Sequence, residues 1–167
     1  DLSFGNPEPL FDRDPAFYVF SLPWLQYMQG WLFSSLVWVT LLTAGAHYVW
    51  GGIRPQAQGF GEKVSPQVKA HLSVLLGLIM LTKAWGYYLG QFDLLTSTRG
   101  VVVGASYTDV NAQLPALRIL VVIAIAFGAI NVVGGLLVTG RMLEMFKSKN
   151  PKKAAAKAES AGEIEGG

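Results

Sequence analysis

The chain has no cysteine. A disulfide framework, a thiolate nucleophile and a cysteine-ligated metal site are therefore excluded, and the redox compartment is left unmarked. Charge is scarce as well: Asp, Glu, Lys and Arg make up 14% of the residues, against about 25% in a soluble domain. Histidine occurs only twice. There is no phosphate-cradling glycine loop, no nucleophile elbow and no zinc-binding helix motif. Gly59-Phe60-Gly61 lacks the preceding strand and third glycine of a dinucleotide loop. The formal net charge of +2 is small, and nucleic acid is not an expected partner.

What the chain has instead is apolar length. Hydrophobic residues make up 51% of its 167 positions and the mean hydropathy is +0.38. They gather in three runs. The plainest is 119–140, uncharged between Arg118 and Arg141. About 20 apolar residues at 1.5 Å rise cover the ~30 Å of a bilayer's hydrocarbon. The expected organisation is a turn-rich aromatic interfacial segment over 1–26, a first span over 27–50, a cytoplasmic loop over 51–67 and a second span over 68–89. An extracytoplasmic loop over 90–114, a third span over 115–141 and a basic tail over 142–167 follow. The tail is too poor in apolar residues to fold alone.

Local signals support these divisions. Pro7, Pro9, Pro15 and Pro23 argue against one continuous helix through the N-terminal segment. Asp14 before Pro15 resembles a cap and first turn, giving a short interfacial helix over 15–22 with Phe17, Tyr18, Phe20 and Trp24 at headgroup depth. Gly51-Gly52 ends the first span, Ser65-Pro66 starts the second, and Pro115 opens the third. Lys and Arg alternate: Arg13 alone at the N-terminus, then Arg54, Lys63 and Lys69, then Arg99, then Arg141 and the tail lysines. The positive-inside rule places the N-terminus outside and the tail in the cytoplasm of a plasma membrane.

Few side chains in the spans can carry chemistry. Lys83 lies about 10 Å by helical rise from the outer end of the second span, where an ammonium costs ~2.5–3.5 kcal/mol to insert. It is read either as an ion-pathway or buried-pair lysine, with Asp93 or Asp109 as its partner, or as a lysine snorkelling to the interface. Asn131 is either part of a proton path or a helix-packing amide. Ala124, Gly128, Gly134 and Gly135 are the candidate packing positions around it. His47 and His71 belong at the same cytoplasmic end, as neighbours that could relay a proton but make a poor metal site. Asp12, Arg13 and Asp14 form a compact acidic turn, more in keeping with caps than with catalytic carboxylates. Lys147, Lys149, Lys152, Lys153 and Lys157 suit anionic lipid headgroups, at ~1 kcal/mol each. No cofactor, metal or catalytic residue is assigned, and an enzyme is the less favoured reading. The partners expected are the bilayer and other membrane helices.

Two resemblances add to this. Asp1-Leu2-Ser3-Phe4-Gly5-Asn6-Pro7, Phe11-Asp12-Arg13-Asp14, Ala46-His47-Tyr48-Val49-Trp50-Gly51-Gly52, Leu81-Thr82-Lys83-Ala84-Trp85-Gly86-Tyr87-Tyr88 and Gly104-Ala105-Ser106-Tyr107-Thr108-Asp109-Val110-Asn111 follow one another in the chain. Over about residues 1–120 they resemble uncharacterised protein family 0182, large multi-spanning actinobacterial membrane proteins. That resemblance implies several membrane helices followed by a large extracytoplasmic domain, and no known reaction. Residues 130–147, with Asn131, Gly134-Gly135 and Arg141-Met142-Leu143, resemble the last membrane helix of the alpha subunit of proton-translocating nicotinamide nucleotide transhydrogenase. A fragment, a fusion or a chimera would account for both signals. The expectation is an all-α integral membrane protein of three transmembrane helices with a short interfacial segment. Its expected function is that of a non-catalytic multi-pass module of an uncharacterised envelope protein, with an assembly or transport role. The alternative is a proton-conducting fragment of a transhydrogenase.

Overall fold

The computed structural model describes residues 4–54, 64–98 and 104–162, with side chains as far as Arg141 and at Glu144. Among the described residues three α-helices make up the fold: α1 (Leu22–Val49), α2 (Pro66–Gly90) and α3 (Leu114–Gly162). With the turns that lead into or out of them, three segments among the described residues are long and apolar enough to cross a membrane: Phe17–Val49, Pro66–Thr96 and Asp109–Arg141. The chain is thus all-helical; among the described residues there is no strand, only isolated bridges between Glu8 and Arg13 and between Ile53 and Val64. Successive helices run antiparallel. Their outward faces are apolar and open, as at Trp38 (65% exposed), Leu42 (69%) and Ile130 (67%), which is the surface a bilayer would cover.

The N-terminal segment differs from expectation. Helix runs without a break from Pro15 into α1, straight through Pro23. The device is a π-helical turn, Phe17–Ser21, in which the Leu22 N–H donates to the Phe17 carbonyl, five residues back. A proline ring collides with the carbonyl four residues before it. The wider turn carries that carbonyl aside and the helix continues. The same device recurs before Pro115: a π-helical turn spans Asp109–Gln113, and the Leu114 N–H reaches the Asp109 carbonyl. The helix that becomes α3 consequently begins earlier than residue 115. α2 starts conventionally, with Pro66 in its first turn and the Ser65 hydroxyl accepting from the Val68 N–H at 3.5 Å.

The α3 backbone stays helical to Gly162, because the Lys- and Ala-rich run 152–158 has high helix propensity even without an apolar face. The side chains of Lys147, Lys149, Lys152, Lys153 and Lys157 lie outside the described residues.

The acidic turn closes on itself. Glu8 accepts the Leu10 and Phe11 N–H groups, and Asp14 accepts those of Ala16 (2.8 Å) and Phe4. Asp12 takes φ +54°, a left-handed value that aspartate tolerates. These carboxylates cap and turn the backbone. The Arg13 guanidinium lies over the Phe17 ring at 5.2 Å.

Candidate functional site

The groups that could matter inside a membrane fall on the two helix interfaces. Between α2 and α3 runs a seam of small residues. A Cβ added at Gly77 would lie 2.6 Å from Val132 Cγ2 and 2.8 Å from the Gly128 carbonyl. One at Gly128 would meet Leu81 at 2.8 Å, and one at Gly135 would meet the Ala70 carbonyl at 2.8 Å. Ala124 is buried in the same line. Spacings of four and seven residues keep Ala124, Gly128 and Gly135 on one stripe of α3. Glycine is required here by close backbone approach, as in small-residue membrane interfaces. Gly134 is the exception among the candidates: a Cβ there would meet nothing within 4 Å. One residue is a rotation of about 100°, which turns Gly134 off the seam.

Asn131 lies at this seam. The Ser73 hydroxyl donates to the Asn131 carbonyl at 2.8 Å and lies 3.5 Å from its side-chain oxygen. The Asn131 amide donates to the Phe127 carbonyl at 2.9 Å. The side chain is therefore tied to its own helix and to α2.

The α1–α2 interface is held differently, by separate polar contacts. Gln26 Nε2 donates to Asp93 Oδ1 at 2.6 Å, and Gln29 Nε2 to the Thr82 carbonyl at 3.2 Å. Gly86 leaves room for the Gln29 amide, which a Cβ would approach to 2.9 Å. At the opposite end His47 Nε2 and His71 Nδ1 are 3.4 Å apart, with their rings nearly perpendicular. Among the described residues no group of three or more His, Cys, Asp or Glu could hold a metal ion.

Lys83 takes neither expected partner. Its ammonium lies 5.0 Å from the centre of the Phe33 ring and 5.6 Å from that of Tyr87. Asp93 accepts from Gln26, and Asp109 is buried, accepting from the Ser106 N–H and hydroxyl at 2.9 and 2.8 Å. The reason is direction: Lys83 faces α1, whereas Asp109 caps the turn that leads into α3.

At the end of the bundle away from the histidine pair, a cluster forms on Phe92, which is 4% exposed. Phe11, Phe17, Tyr18 and Tyr88 surround its ring at 5.0–6.2 Å, mostly edge-on. Leu22 and Leu89 complete it. Phe17 and Tyr18, expected at headgroup depth, thus turn inward, while Phe20 and Trp24 stay exposed. Beside the cluster a hollow of ≈ 520 Å³ opens between the end of α2 and the start of α3, lined by Asp93, Leu94, Thr96, Gln113 and Leu117 among others.

Gln26, Gln29, Ser73 and Phe92 were not picked out from the sequence. The glutamines had a signal, since two amides three residues apart in an apolar run mark one face of a helix. Phe92 follows the last turn of its helix, where no periodicity points to burial.

Three long apolar helices, packed on one another through small residues and isolated amides, define a membrane-compatible helical module. The chain belongs to a family described as uncharacterised protein family (UPF0182), whose pattern matches residues 1–147. That match extends across the stretch that resembles the transhydrogenase helix. A UPF0182 protein of Frankia alni is 49% identical over 124 residues, which cover 74% of this chain and 12% of the relative. One from Thermobifida fusca is 45% identical over 122 residues, 73% of this chain and 12% of the relative. One from a Geobacter species is 38% identical over 133 residues, 80% of this chain and 15% of the relative. The chain thus corresponds to about an eighth of the length of these relatives. No solved structure matches it.

Proposed function

We propose that this chain is a non-catalytic, multi-pass assembly module of the plasma membrane. In this reading α2 and α3 form a rigid helical pair that seats the remainder of a longer envelope protein, with the N-terminus outside and the tail in the cytoplasm. The observation that carries it is the α2–α3 seam, where backbone meets backbone at Gly77, Gly128 and Gly135. Such packing gives a fixed scaffold in a solvent where apolar burial alone does not bring helices together. The Phe92 cluster supports it by fastening the N-terminal segment to the outer end of α2. The cysteine-free chain makes the topology simple to test. A cysteine at Ser97 is expected to react with a membrane-impermeant maleimide in intact cells; reaction only after permeabilisation would overturn the orientation.

The proton-conducting reading has less support. Asn131, the residue it depends on, is engaged by Ser73 and Phe127. It requires nucleotide-binding subunits to co-purify in detergent, and their recovery would favour it over the assembly role.

A further inference from the structure

We propose that Lys83, Tyr87 and Phe33 form a binding site for the phosphodiester of an anionic phospholipid, where α1 and α2 meet. Lys83 is exposed on the outer surface of the pair, yet its ammonium is held by the faces of two rings, one from each helix. Tyr87 is one turn along α2 from Lys83, and side chains lean back toward the helix N-terminus, so its ring comes down onto the ammonium. Rings attract the charge but offer no oxygen. An ammonium has three donors and no acceptor. Among the described residues neither that ammonium nor the Tyr87 hydroxyl makes a hydrogen bond, and Asp93 and Asp109, the carboxylates nearest in expectation, are engaged elsewhere. The site therefore presents a fixed cation and a neighbouring hydroxyl donor with nothing to receive them, which suits an anion with several oxygens.

Depth selects the source of that anion. The 25 residues of α2 span about 37 Å, so about 3–4 Å projects beyond a ~30 Å hydrocarbon core at each end. Lys83, about 10 Å from the outer end, is then about 7 Å below the hydrocarbon boundary. A lysine stem covers most of that distance. A lipid phosphate fits this position, and a phosphatidylglycerol headgroup, unlike that of phosphatidylcholine, carries no cation of its own to compete with Lys83.

The inference rests on the membrane reading above, and the test separates the two. The full chain and its K83M, K83R and Y87F variants are extracted from membranes, and retained phosphatidylglycerol and phosphatidylcholine are counted by native mass spectrometry. Wild type is expected to retain one phosphatidylglycerol in preference to phosphatidylcholine. K83M is expected to lose about fivefold of that retention, as one basic contact near the headgroup would give. K83R should keep it, and Y87F should fall between. Equal retention by K83M and wild type, or equal retention of the two lipids, would overturn the site. Displacement by millimolar inorganic phosphate would overturn the lipid as its source. If K83M fails to fold by circular dichroism, Y87F against K83R decides: equal retention overturns the site. Release of the wild-type chain by alkaline carbonate would instead count against the membrane reading.

Discussion

The two interfaces of α2 are built on opposite principles. Toward α3 it presents Ala70, Ser73, Gly77 and Leu81 to Gly135, Asn131, Gly128 and their neighbours, and the helix backbones touch. Toward α1 it makes spaced contacts, a histidine pair at one end, an amide at Thr82, and an amide with the aromatic cluster at the other. The first is continuous and tolerates no added methyl. The second is discontinuous, and Lys83 lies exposed beside it, against Phe33 of α1. α2–α3 is therefore expected to act as a rigid pair, and α1 as a helix pinned at its ends.

Substitutions can break either side of that contrast. Phe92→Ala should have the largest effect, a loss of about 3–5 kcal/mol for a buried aromatic, read in a detergent denaturant titration and accompanied by early detachment of α1. Gly77→Val comes next, because its new side chain runs into Val132 and the Gly128 backbone; overpacking of this kind costs about 1–3 kcal/mol and should separate α2 from α3 first. Gln29→Leu removes one inter-helix bond on the looser side, and about 0.6 kcal/mol is expected in the same titration. Gly134→Leu is the control. It adds more volume than the Gly77 change but meets open space, and should shift stability by less than about 0.5 kcal/mol. Equal damage at Gly77 and Gly134 would erase the distinction between the α2–α3 seam and the open face of α3.

The membrane-compatible helices were legible because apolar run length is a direct consequence of bilayer thickness. The seam was legible in part: Ala124, Gly128 and Gly135 share a helical stripe, but composition alone cannot separate Gly134 from Gly135. The rest depended on long-range placement. Continuation through Pro23 needs a π-helical turn that no local residue type announces. The burial of Phe92 depends on Phe11 and Phe17, far away in the chain, folding back onto it. Lys83 was recognised as an anomaly, but its neighbours are set by which way α2 faces, and that follows from α1.

The central claim is the close antiparallel pairing of α2 and α3 within one chain, and an engineered disulfide tests it directly. Ser73→Cys with Asn131→Cys, in a chain that has no other cysteine, should oxidise in native membranes to a fast-migrating intramolecular product, because these positions already meet across the seam. Adding Gly77→Val should suppress that product. Failure to form it, or disulfides only between separate chains, would contradict the account.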